Sequence, residues 1–159
     1  MDFESGDLSS ASSPNATTLS ADNAARGTAY VFLFPNPAYE CFAESQGDAG
    51  MVSPNSSTPV ELQISLAGQP GSLPPEGNYS LAANPNALTP NTFSAAMLFY
   101  QASMGYNTAE QVSGGTVLLN AVSPDGCIQG TYNLTFPNSI EEGSFTANAA
   151  PNSCPDPSF

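Results

Sequence analysis

The chain has no histidine, no lysine and no tryptophan, and Arg26 is its only cation. Each absence removes a class of chemistry. Without histidine there is no Ser-His-Asp or Cys-His nucleophile system and no imidazole ligand for a metal. Without lysine there is no Schiff base and no phosphate-cradling lysine. Fourteen carboxylates against one cation give a formal net charge of −13. Such a chain cannot neutralise a run of phosphates, so nucleic acid is excluded as a partner. No stretch approaches the ~20 consecutive apolar residues of a membrane-spanning helix. No cofactor-binding motif is present, and none is expected to be needed.

What remains is a polar, weakly charged chain of 159 residues, 40% of them apolar and only 9% charged. An average soluble protein has about 25% charged residues. Solubility must therefore come from Ser, Thr, Asn, Gln and the acidic excess, a surface that suits a secreted protein. The length suits one domain with a sizeable core. The chain opens Met-Asp-Phe-Glu-Ser-Gly-Asp, with neither the basic start nor the apolar run of a signal peptide. The expectation is a secreted or cell-surface protein whose precursor carries a leader, with lipid anchoring as one form of it. Residues 1–26 are rich in Ser, Ala, Asn, Asp and Thr. They bury too little apolar surface to offset their ordering entropy, so they read as a flexible acidic tether. Residues 27–159 form the folded domain.

From Gly27 onward the pattern has period two. Thr28, Tyr30, Phe32 and Phe34 fall on one face of a strand and Ala29, Val31 and Leu33 on the other. Both faces are apolar, which predicts a central, doubly covered strand. A short strand at 40–43 follows. Val60, Leu62, Ile64 and Leu66 alternate with Glu61, Gln63 and Ser65, the signature of a strand with one wet face. Segments 78–82 and 93–101 also read as strands. The C-terminal part reads as a three-strand meander over 115–122, 127–136 and 141–148, with Pro124-Asp125-Gly126 turning the first pair. Gly130 interrupts the apolar series Ile128, Tyr132, Leu134, Phe136, which predicts a bulge or a close backbone approach. About eight strands without an amphipathic helix give an all-β fold: an antiparallel sandwich, or alternatively a closed barrel.

Three cysteines, Cys41, Cys127 and Cys154, lack metal-ligand spacing. In an oxidising compartment two would pair. A Cys41–Cys154 disulfide would pin the Pro-rich tail to the start of the domain. Loop entropy assigns it about 4–5 kcal/mol, against about 3.5 kcal/mol for the alternative Cys127–Cys154. The favoured pair is Cys41–Cys154, with Cys127 as a free thiol that leaves room for a covalent dimer beside the monomer.

Within residues 114–154 the segments Gly-Gly-Thr-Val-Leu-Leu-Asn-Ala-Val, Gly-Cys-Ile-Gln-Gly-Thr-Tyr-Asn-Leu-Thr-Phe and Glu-Gly-Ser-Phe-Thr-Ala are followed by Cys154. This quarter of the chain resembles the C-terminal part of small secreted bacterial proteins and lipoprotein-like chains, typical of myxobacteria and related soil bacteria. These end in a G-T-(Y/F)…F…G-S-F-x-A…C pattern and often carry an earlier Cys after the first strand, where this chain has Cys41. The resemblance implies an exported β-sandwich and brings no activity with it. Cys127 stands where that pattern has a polar residue.

Catalytic chemistry would have to be built from carboxylates. Glu40, Glu44, Glu61, Glu110, Glu141 and Glu142 are the candidates for a glycoside hydrolase pair. Glu141 and Glu142 are adjacent in a strand and must point to opposite faces. A carbohydrate-binding module could stack sugars on Tyr39, Tyr100, Tyr106 or Phe159 in place of tryptophan. Asp48 and Asp125 each sit beside a glycine in a turn, which turn chemistry explains without calcium. Asn15, Asn55, Asn78 and Asn133 begin Asn-x-Ser/Thr triplets, a number expected by chance in so Asn- and Ser-rich a chain. The expected function is a non-catalytic cell-surface structural or binding module. Its partner would be a protein or a glycan at the cell surface, met by the loops 46–59, 68–77 and 84–91. Trypsin should cut once, after Arg26, and leave residues 27–159 folded. Loss of the β-sheet circular dichroism signal after the cut would place residues 1–26 in the fold.

Overall fold

The computed structural model describes residues 15–16, 27–33, 59–101, 106–122 and 128–148. The three cysteines, the strand expected at 40–43, the turn at 123–126 and most of the expected tether lie outside the described residues. Every regular element among the described residues is a strand. They are β1 (Asn15–Ala16), β2 (Thr28–Leu33), β3 (Pro59–Ala67), β4 (Gly77–Leu81), β5 (Thr92–Gln101), β6 (Tyr106–Gln111), β7 (Gly114–Val122), β8 (Ile128–Thr135) and β9 (Ile140–Asn148). The fold is all-β.

All nine strands belong to one sheet, in the order β1-β9-β8-β7-β4-β5-β3-β2, with β6 on a second stretch of β5. The two ends of this path curl toward each other, so that β2 lies against both β1 and β9. The result is a nearly closed barrel, the second of the two all-β architectures expected. A sheet of this size encloses an interior that side chains can just fill. The sheet is mixed: most neighbours are antiparallel, but β1 runs parallel to β9 and β4 parallel to β5. The two residues of β1 come from within the stretch expected to be a tether.

Residue parity builds the core. Leu62, Ile64 and Leu66 of β3 are fully buried, with Ala29, Val31 and Leu33 from β2 and Phe93, Ala95 and Met97 from β5. Each large side chain so buried contributes about 1.5–3 kcal/mol. From the other half of the barrel come Val117 and Leu119 of β7 and Ile128, Tyr132 and Leu134 of β8. The meander β7-β8-β9 forms as its alternation predicts.

Two strands depart from the expectation. The outer face of β2 is not covered: Thr28 and Phe32 are half-buried, and Tyr30 is 37% exposed. Among the described residues β2 is paired only with β3, and its outer residues share a face with the polar side of β3. Strand β6, Tyr-Asn-Thr-Ala-Glu-Gln, has no period-two apolar signal at all. It exists because β5 is longer than β4 and offers backbone groups beyond it, from Ala96 to Gln101.

Gly130 meets both of its expectations. On β7 the register slips between Leu119 and Ala121, a bulge placed directly across from Gly130. A Cβ on Gly130 would sit 2.5 Å from the Leu118 carbonyl oxygen and 2.7 Å from the Phe145 ring. Phe145 is the register partner of Gly130 on β9, so its ring fills the space the missing side chain leaves. The Gly130→Ala variant should lose about 1–3 kcal/mol in urea denaturation, the usual cost of overpacking. Gly114→Ala, whose added carbon would find its nearest neighbour at 3.6 Å, should be close to neutral.

Candidate functional site

On the outer face of the sheet, register aligns side chains in rows. Phe32 of β2, Gln63 of β3, Ala96 of β5 and Gln111 of β6 form one row. Tyr30, Ser65 and Ser94 form the next. A groove of about 330 Å³ lies over Gln63, Ser65, Ser94, Ala96 and Gln111 and is walled by Pro85 and Asn86 from the β4–β5 loop. That volume is at the lower end of small-ligand sites. None of its lining residues is charged.

The groove is built on fixed parts. Strands β3, β5 and β6 supply its floor through continuous ladders. The wall is held by local bonds: Ala87 N–H donates to the Asn84 carbonyl at 3.1 Å, and Asn86 N–H to Asn84 Oδ1 at 3.0 Å. Thr92 Oγ1 donates to the Thr89 carbonyl at 2.6 Å, and Asn91 N–H to the Ala67 carbonyl at 2.8 Å. An Asx-type turn of this kind explains why a Pro/Asn segment can be ordered without regular structure. In the floor, Gln63 Nε2 donates to Glu61 Oε1 at 2.6 Å. Glu61, two residues along the same face, is nine-tenths buried, so this bond holds the Gln63 amide from the side. Ser94 is 8% exposed yet lines the groove.

The carboxylates divide between the two faces of the sheet, Glu110 and Glu141 at inward positions and Glu61 and Glu142 at outward ones. Glu61 shares the outer face with Gln63 and Ser65. Glu141 lies on the opposite face, across from Leu134, 1% exposed in the barrel interior. Glu142 points outward, as adjacency to Glu141 requires, and accepts a 3.5 Å bond from Asn133 Nδ2. Glu110 is half-buried and accepts from Asn138 Nδ2 at 3.5 Å. Glu40 and Glu44 lie outside the described residues, as do Asp48, Asp125, Tyr39 and Phe159. The side chains of Tyr100 and Tyr106 lie outside them too. Of the three loops expected to carry recognition, 84–91 lines the groove, 68–77 does not, and 46–58 is outside the described residues. Tyr30, the exposed ring beside the groove, was not among the aromatic candidates. Its signal was indirect: a strand paired with the half-polar strand 60–66 must present one face to the same polar side.

A second opening, of about 340 Å³, is lined by Tyr132, Glu142, Gly143 and Ser144 on β8 and β9. Tyr132 stacks on Phe145 with ring centroids 6.4 Å apart. Its hydroxyl is buried with no hydrogen-bond partner among the described residues. Burial, and then the Glu141 charge, hold its ionisation well above the ordinary tyrosine range. Tyr79 differs: its hydroxyl donates to the Pro75 carbonyl at 2.6 Å, and burial pushes its pKa up to about 12.

Tyr132→Phe should therefore raise stability by about 1 kcal/mol, because it removes an unsatisfied buried group, while Tyr79→Phe should cost about 1 kcal/mol. Destabilisation by Tyr132→Phe would mean that the hydroxyl is bonded in solution. The alkaline limit has a definite sign. The unfolded chain loses these phenolic protons near pH 10, where the folded chain still holds them. Stability is thus full below pH 10 and falls as pH rises toward about 12. The Tyr79→Phe variant should show a shallower fall in a pH-melting series.

Comparison with known protein families, curated proteins and solved structures returned no match to this chain.

Proposed function

We propose that the protein is a non-catalytic exported module that binds a partner outside the cell or at its surface, through the outer face of β3, β5 and β6. The observation that carries this reading is the chemistry of the groove: neutral amides and hydroxyls on a rigid sheet, with no titratable group in the lining. A hydrolase built from carboxylates needs two of them facing one space. The nine-tenths-buried acids, Glu61 and Glu141, stand on opposite faces of the sheet. Glu141 interrupts the core and Glu110 is half-buried at an inward position of β6, so the acids are not confined to the surface, but Glu141 has no carboxylate opposite it in the register of β8 and β9. The low charge content and the resemblance to small secreted bacterial chains support export.

The test is retention against turnover on one panel. Full-length protein is incubated with insoluble polysaccharides, with extracellular-matrix proteins and with bacterial cell envelopes. Retention on at least one of these without release of reducing ends is the expected result. Release of reducing ends in proportion to protein added would make it an enzyme, and retention on none would end the binding reading.

A further inference from the structure

We infer that the outer groove is a subsite for a neutral oligosaccharide, with Tyr30 as its stacking ring. This rests on the reading of the protein as a binding module and names the ligand class of that same surface.

The lining selects the ligand by elimination. An anion would need a cation or a set of convergent backbone N–H groups, and no lining residue is charged. With a net charge of −13, the protein also repels anions at long range. A metal cation would need carboxylates, which the lining also lacks. An apolar ligand would bury Gln63, Gln111 and two serines without partners, a cost of a few kcal/mol. A peptide strand would need a free sheet edge; over this floor both edges of β5 are already bonded, to β3 and β6, and a strand added to the outer edge of β6 would lie beside the groove and leave its amides and hydroxyls uncovered. A polyhydroxylated neutral ligand fits instead. Each sugar hydroxyl both donates and accepts, and so do the Gln amides and Ser hydroxyls that face it.

Two structural details turn a polar patch into an oriented site. The Gln63–Glu61 bond commits one Nε2 proton of Gln63 along the strand and leaves its carbonyl oxygen and second proton for a ligand. Glu61 thus acts as a positioning residue and does not touch the ligand. Tyr30 is the register partner of Ser65, which is in turn the partner of Ser94. The Cα of Tyr30 therefore stands about 10 Å from that of Ser94, two strand spacings away, with the ring on the same face. A ring at that distance offers an apolar platform for the C–H face of one sugar while the Gln and Ser groups take the hydroxyls of the next. Exposed tyrosine suits this role because its ring is apolar and its tip is wet.

The experiment uses the full chain and five soluble probes: cellohexaose, maltohexaose, mannohexaose, xylohexaose and trigalacturonic acid. Binding is read by isothermal titration and by ligand-induced shifts of amide NMR signals. At least one neutral hexasaccharide should bind and shift the signals of β3, β5 and β6. Trigalacturonic acid should bind at least tenfold more weakly. Tyr30→Ala and Gln111→Ala, both at outward positions, should weaken binding tenfold or more, the exposed Gln111→Ala without lowering the melting temperature and Tyr30→Ala while the chain remains folded. Gln63→Glu should also weaken it, because it sets a charge beside Glu61, while Glu142→Gln on the far side of the barrel should bind as wild type does. The proposal is overturned if no neutral probe binds, or if Tyr30→Ala and Gln111→Ala bind unchanged. Retention of the wild type on matrix proteins alone would remove the glycan and leave the module standing. Retention on no polymer at all would remove both.

Discussion

Strand β5 is bonded along both edges, and the rest of the barrel depends on how that is done. One edge faces β3 almost throughout. The other is shared: β4 runs parallel to its start and β6 antiparallel to its end. Between them, Ala82 N–H donates to the Phe93 carbonyl at 2.8 Å and Val112 N–H to the Ala95 carbonyl at 2.9 Å, so no gap opens in the ladder. Buried backbone groups must be paired, and this hand-over pairs them. It also sends the chain from the end of β6 into β7, which returns to the free edge of β4. The parallel pairing of β4 with β5 goes with one strand that is too long for a single neighbour.

The same constraint makes the groove. Because β6 continues the sheet beyond β4, the outer face of β5 is flanked on both sides by polar residues, Gln63 and Ser65 on one and Gln111 on the other. The β4–β5 loop, held by its own Asx and Thr bonds, closes one end. The lack of cations decides the chemistry of that space. In a chain with ordinary lysine content such a face would carry charge. Here amides and hydroxyls are what remain.

Much of the fold could be read from residue order. The alternation at 60–66, the apolar segment 93–101 and the C-terminal meander all form where expected, because side-chain parity in a strand is a local property. Gly130 was legible for the same reason: a residue with no side chain inside an apolar series leaves a space that a neighbour must fill, and Phe145 fills it. Strand β6 was not legible, since its stability lies in backbone bonds to β5 and its side chains carry no pattern. The candidate site was legible only in part. Residues 84–91 were expected to contribute to recognition and do line the groove, but the exposure of Tyr30 contradicts the two apolar faces of its own strand.

By itself the sequence determined the chemistry that is absent, the all-β class, the inward parity of β3 and β8, and the opposite facing of Glu141 and Glu142. These depend on composition and on the two-residue repeat of a strand, and neither needs a partner to be known. Only the tertiary structure decided that the outer face of β2 is partly open, that Glu61 is buried beside Gln63 on the outer face, and that Glu141 enters the core. Parity says which residues share a face. Whether that face is covered depends on which strands lie beside it and what they present there, and that is settled by pairing between segments far apart in the chain.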